Sequence, residues 1–171
     1  MFKYAGAILV IISCSLKGFE EADKLTTRLK NLKEIKNILL FVEREMQFSK
    51  TPLPQILENA SEKSEKALIK EILSNTAKKI NSEFSPAEAW QEEIKKNQSR
   101  LFLSKKEALE MAGIFQSLGE SDSETQKKVI KNALEIIDDA ILKCENVCRT
   151  NVKMYRSMGV LLGMFIALLF I

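Results

Sequence analysis

The stretch from Ser121 to Ile171, SDSETQKKVIKNALEIIDDAILKCENVCRTNVKMYRSMGVLLGMFIALLFI, contains no proline and, before Gly159, no glycine. It opens on a capping box: Ser121 can accept from the amide of Glu124, whose side chain reaches back, and Asp122 adds negative charge at the amide end. With no breaker after that, the pattern predicts one helix of some 38 residues before Gly159, far beyond the average length. Within it Ile130, Leu134, Ile137, Ile141, Cys144 and Cys148 follow alternating spacings of 4 and 3, a heptad-like seam that continues imperfectly as Val152 and Tyr155. Such a seam packs either against another helix of the same chain or against another subunit.

The last 15 residues, Ser157 to Ile171, carry no charge. At about 1.5 Å per residue they cover about 22 Å as a helix, short of the roughly 30 Å hydrocarbon core of a bilayer. Extension upstream through Met158 and Tyr155, with Lys153 and Arg156 snorkelling, makes a span feasible. Gly159 and Gly163 also form a Gly-x-x-x-Gly spacing that permits close helix approach.

The other end mirrors this one. Tyr4 to Leu16 is a 13-residue stretch without charge. Three readings fit it: a retained membrane helix, a lipoprotein signal in which Ile11, Ile12, Ser13 and Cys14 act as the processing box, and an ordinary export signal. The retained helix is favoured, because Gly18 and Phe19 run directly into a helical pattern where a lipoprotein has a polar linker. Residues 1–19 and 157–171 are then transmembrane segments around a domain of residues 20–156. Lys17, Lys24, Arg28 and Lys30 on one side, and Arg149, Lys153 and Arg156 on the other, place that domain in the cytoplasm.

Between the ends, all Asp and Glu residues lie from Glu20 to Glu145, and the middle is nearly neutral. No stretch sustains strand alternation, so the middle reads as helices divided by short turns. The first carries Ala22, Leu25, Leu29, Leu32, Ile35, Leu39, Val42 and Met46 at near 3.6-residue spacing and ends around Phe48 to Thr51. Thr51 can cap the second, with Pro52 in its first position, and Ile56, Leu57 and Ala60 point inward through about Glu62. A third covers about Glu65 to Ile80. Ser85, Pro86 and Glu88 open the fourth, a short peg around Ala89, Trp90 and Ile94, with Trp90 read as core. Ser104 and Glu107 open the fifth, which presents Ala108, Leu109, Met111, Ala112 and Phe115 before Gly119 stops it. The fold expected is all-α: a six-helix bundle flanked by two membrane helices.

The 171 residues include 26 Lys plus Arg against 23 Asp plus Glu, and no His, so histidine-based metal, acid/base or triad chemistry is excluded. No phosphate-binding glycine loop, dinucleotide fingerprint or zinc signature is present. Asp138 with Asp139, Glu43 with Glu45, and Glu92 with Glu93 read as solvated helix faces, and Lys95, Lys96 and Arg100 as a solvated basic patch. Cys14, Cys144 and Cys148 read as small apolar residues, with no further ligands for a metal. Neither enzyme, cofactor nor nucleic-acid partner is expected. Function lies in shape and contact, and the two turns with unusual cap chemistry, Pro52 to Pro54 and Gly119 to Asp122, are the candidate partner-facing edges.

Several phrases, in order, carry a resemblance: Gly6 and Ser15 to Phe19; Thr51, Pro52, Leu53, Pro54 and Leu57; Ala89 and Trp90; Phe115, Leu118, Gly119, Ser121, Asp122 and Gln126; Tyr155, Leu161 and Gly163. Over essentially its full length the chain resembles the stage III sporulation protein AB family of endospore-forming bacteria. The resemblance implies a non-enzymatic membrane protein, made in the mother cell, of the channel linking mother cell and forespore. It further implies a cytoplasmic helical domain similar to those of type II secretion inner-membrane platform proteins. Its role would be to anchor or couple a secretion-type ATPase, the sporulation protein AA, to the other membrane subunits. Pro52, Leu53, Pro54, Gly119, Ser121 and Asp122 carry the family pattern by position, and the ATPase contact is assigned to them as a hypothesis. Cys14 departs from the pattern and sustains the competing reading, a lipid-anchored extracytoplasmic helical adhesion or structural protein.

Overall fold

The computed structural model describes residues 2–48, 51–115 and 123–170. Six α-helices follow in order: α1 (Phe2–Phe48), α2 (Leu53–Lys63), α3 (Ala67–Asn81), α4 (Pro86–Leu101), α5 (Lys105–Ala112) and α6 (Ser123–Phe170), with a 3₁₀ turn at Gly113–Phe115. No strand occurs among the described residues. The chain divides into two compact units, residues 30–142 and the paired chain ends 1–29 and 143–171.

In the larger unit, α2, α3, α4 and α5 pack each on the next. The expected stripe of α1 is buried here at Leu32, Ile35, Leu39 and Val42, and that of α6 at Ile130, Ile137 and Ile141. Trp90 lies at the centre, 2% exposed. Its indole Nε1–H donates to the Met111 carbonyl at 2.7 Å, and its ring lies 4.6 Å from that of Phe115. Trp90 is therefore core, as its place on an otherwise polar helix suggested.

Helix boundaries follow local chemistry. Both described capping boxes close as expected: the Glu88 amide donates to Ser85 Oγ at 3.2 Å, and the Glu107 amide to Ser104 Oγ at 3.2 Å. The box at Ser121 lies outside the described residues. α2 begins one residue later than expected, with Pro52 itself at the N-cap, extended at φ −60° and ψ 145°, and Pro54 in the first turn. Both missing amides fall where a helix start has no partner for them. α2 ends at Ser64, whose Oγ donates to Glu34 Oε1 at 2.7 Å, while Lys63 lies over the Phe41 ring. α4 is 16 residues long rather than a short peg.

α5 departs from expectation. It stops at Ala112, short of Gly119, because the chain tightens at Gly113 into a 3₁₀ turn that buries Ile114 and Phe115 against the core. Leu109, expected to face inward, is 72% exposed. The α3 end is closed by Glu83 in the left-handed region, φ 73°, with the Phe84 amide donating to the Lys79 carbonyl. Glycine is the usual residue there, and a side chain costs about 1 kcal/mol.

A second correction concerns Glu93. It is 1% exposed rather than on a solvated face, because it shares the inward side of α4 with Trp90, Asn97 and Leu101. Lys79 Nζ neutralises it at 2.8 Å and Asn75 Nδ2 donates at 3.3 Å. Partial burial works against the Lys79 charge, but hydrogen bonds to Glu92 and Glu93, with their negative charges, outweigh it and raise the Lys79 pKa. The same lysine's hydrogen bond holds the exposed Glu92 carboxyl below its usual range.

Candidate interaction surfaces

In the smaller unit the two chain ends form an antiparallel helix pair, and glycine decides how closely they approach. A Cβ placed on Gly18 would lie 2.6 Å from the Tyr155 carbonyl oxygen and 2.9 Å from Gly159 Cα. One on Gly159 would lie 2.8 Å from the Cys14 carbonyl oxygen, and one on Gly163 2.9 Å from Ile11 Cα. Real Cβ atoms do not tolerate such distances, so backbone meets backbone over two turns. The seam expected on α6 continues here as an intrachain contact. Cys144 is buried, and the Cys148 thiol donates to the Leu25 carbonyl at 3.4 Å. None of the three cysteines is in a disulfide.

Away from the crossing, the pair is apolar and uncovered. Ile8, Leu9, Ile12 and Leu16 on α1 are 49–65% exposed, and Leu161, Phe165, Leu168 and Leu169 on α6 are 60–75% exposed. Among the described residues, α6 between Lys128 and Leu169 is long and apolar enough to cross a membrane, and only 17% of its most apolar window is buried.

Charges begin directly beyond this apolar stretch. Lys17 and Lys24 bridge Glu20 and Glu21 at 2.8–3.6 Å, and Arg156 reaches Asp23 at 3.4 Å. Hydrogen bonds from Lys24 and Lys17 lower the Glu20 pKa, and that from Lys24 lowers the Glu21 pKa. Hydrogen bonds to Glu21 and Glu20 raise that of Lys24 in turn. The cluster holds the lysine heads at one level along the helix.

Of the residues proposed from sequence to face a partner, Pro52 is exposed while Leu53 and Pro54 are half-buried at the first turn of α2. Gly119, Ser121 and Asp122 lie outside the described residues. The basic patch is smaller than its sequence suggests. Arg100 forks onto Glu71 at 3.0 and 2.9 Å and onto Asn97 Oδ1 at 2.8 Å, which leaves Lys95 and Lys96 exposed. The arginine's hydrogen bond lowers the Glu71 pKa. No group of three or more His, Cys, Asp or Glu residues is placed to hold a metal among the described residues.

Gly18 is a packing residue that the local sequence pattern does not single out. Its signal was present in the spacing Cys14, Gly18, Ala22, three small residues four apart on one face. Cys14 and Gly18 of that row face the Gly159 and Gly163 pair.

Among the described residues six helices, the last of them long and apolar enough to cross a bilayer, define the class: an all-helical protein with a membrane-compatible end. Residues 3–171 match the family model described as Stage III sporulation protein AB, and the chain belongs to that family. The Stage III sporulation protein AB of Bacillus subtilis (strain 168) is 28% identical over 173 residues, covering 99% of each chain. A solved structure titled Stage III sporulation protein AB has the same fold, with a TM-score of 0.66 at 22% identity over 72% of this chain and 97% of its own.

Proposed function

We propose that this protein is a non-enzymatic membrane subunit of the channel between mother cell and forespore, and that it anchors or couples a secretion-type ATPase, the sporulation protein AA, to that apparatus. The observation that carries the reading is the apolar belt of the helix pair, in a chain whose family match spans residues 3–171. Lipid is the solvent that covers such a belt at no cost in exposed apolar area. The glycine crossing lets two helices share one hole in the bilayer. Membrane helices attract through close packing, since lipid tails supply no hydrophobic drive between them.

With both ends inserted in the mother-cell membrane facing the forespore, the basic residues from Lys17 to Lys30 and from Arg149 to Arg156 hold the bundle in the cytoplasm. That is the side where an ATPase and its nucleotide reside. The fold is then used as in type II secretion platform domains, as a rigid adaptor. Pro52, Leu53 and Pro54 in one turn, and Gly119, Ser121 and Asp122 in another, are the residues proposed to dock it. Retention of the N-terminal segment, against the lipid-anchored alternative, is supported by Cys14, whose backbone carbonyl lies in the crossing within an unbroken α1.

The test is co-purification of the ATPase with the full-length chain from detergent-solubilised membranes. Wild type is expected to retain it. Leu53→Glu and Asp122→Arg are expected to lose at least about tenfold in recovery while keeping their helical circular dichroism, the equivalent of about 1.4 kcal/mol. Absence of the ATPase from a folded wild-type preparation contradicts the docking role.

A further inference from the structure

We propose that a second copy of this chain packs along α6, on a face one step round the helix from the one that meets α1. Val147, Asn151, Met154, Met158, Leu161 and Phe165, with Leu168 closing the third heptad, follow spacings of 4 and 3 without a break. The apolar members of this row are 38–75% exposed, and Asn151 is half-buried. The neighbouring seam through Cys144, Cys148, Tyr155 and Gly159 is already used against α1 within the same chain, so among the described residues this second row is left open.

Three features point to self-pairing. The row is three heptads long, the shortest length at which such a seam sustains a coiled coil. In heptad terms Val147, Met154, Leu161 and Leu168 fall at d, and Asn151, Met158 and Phe165 at a. A single asparagine at an a position fixes register and number of strands by bonding to its own counterpart. Finally, the flanking e and g positions from Cys148 to Ser157 are Cys148, Thr150, Tyr155 and Ser157, all uncharged. Arg149, Lys153 and Arg156 fall at f and c, away from the seam. Two identical helices can therefore approach without bringing like charges together.

Lipid accounts for exposure from Met154 onward once Lys153 and Arg156 snorkel, but Val147 lies two turns further back among Lys143, Glu145 and Arg149, where lipid does not reach. The row crosses that boundary without changing face, as a protein contact does. The pairing rests on membrane insertion for its direction: copies inserted alike run parallel.

The test uses the full-length chain in native membranes, with Cys14→Ala, Cys144→Ala and Cys148→Ala as background and single cysteines introduced in turn. Oxidation is expected to give chain-sized dimers at Asn151→Cys, Met154→Cys and Met158→Cys at least about fivefold more than at Arg149→Cys, Lys153→Cys and Arg156→Cys. Adding Asn151→Lys to the Met154→Cys chain is expected to lower its dimer roughly tenfold. An even or inverted pattern, or an adduct with a different protein, overturns the proposal. Carbonate extraction of the same membranes separates the two claims. Release of the chain sinks membrane insertion, whereas a retained chain without the periodic pattern sinks self-pairing alone.

Discussion

Gly159→Leu is expected to force the helix pair apart and to lower the thermal midpoint of the full-length protein in detergent by about 6–12 °C, or about 3 kcal/mol. Overpacking in an ordinary core costs about 1–3 kcal/mol because side chains move aside. Here the first added carbon meets the Cys14 carbonyl oxygen at 2.8 Å and Gly18 Cα at 3.0 Å, and neither backbone can yield without moving a helix. The gain of about 0.8 kcal/mol from replacing a helical glycine offsets only part of this. Gly6→Ala is the matched control, since nothing lies within 4 Å of its added carbon. It is expected to be neutral or to stabilise by up to about 1 kcal/mol. Equal behaviour of the two variants in a thermal melt followed by circular dichroism excludes the close crossing.

Trp90→Ala is expected to cost about 3–5 kcal/mol, the range for emptying a large aromatic site in a packed core. The side chain is 2% exposed, so almost all of its surface is withdrawn from water. Its loss also removes the ring partner of Phe115 and leaves the Met111 carbonyl without the indole donor. Trp90→Phe separates the contributions. It keeps an aromatic ring against Phe115 and loses the hydrogen bond, for an expected cost of about 1–3 kcal/mol. Denaturant unfolding followed by circular dichroism measures both. A cost below about 1 kcal/mol for the alanine variant contradicts a core role for Trp90.

The helices were legible where periodicity and capping chemistry agree. The serine boxes at Ser85 and Ser104 declare their helices within a turn, and the α1 stripe from Leu32 to Val42 names its own buried face. Glu93 was not legible, because a buried carboxylate is specified by Lys79 and Asn75 on a neighbouring helix, and neither is visible from the local pattern. The early end of α5 escaped for a similar reason. Gly113 is a weak stop on its own and acts here because Ile114 and Phe115 gain a core site by turning. Of the interaction surfaces, Gly159 and Gly163 announced a close approach, but Gly18 emerged only once the two chain ends were paired. The second row on α6 was overshadowed by the first, since both share the spacing and only exposure tells them apart.

The central claim is that the chain ends form a membrane hairpin holding the bundle in the cytoplasm. The most direct measurement is site-specific labelling of single cysteines with a membrane-impermeant maleimide in intact non-sporulating cells that express the chain in their cell membrane, in the background lacking Cys14, Cys144 and Cys148. The account predicts that cysteines replacing Lys95 and Glu58 in the bundle are protected until the membrane is opened, whereas one appended beyond Ile171 is labelled from outside. Labelling of the bundle positions in intact cells, with protection of the appended cysteine, would contradict it.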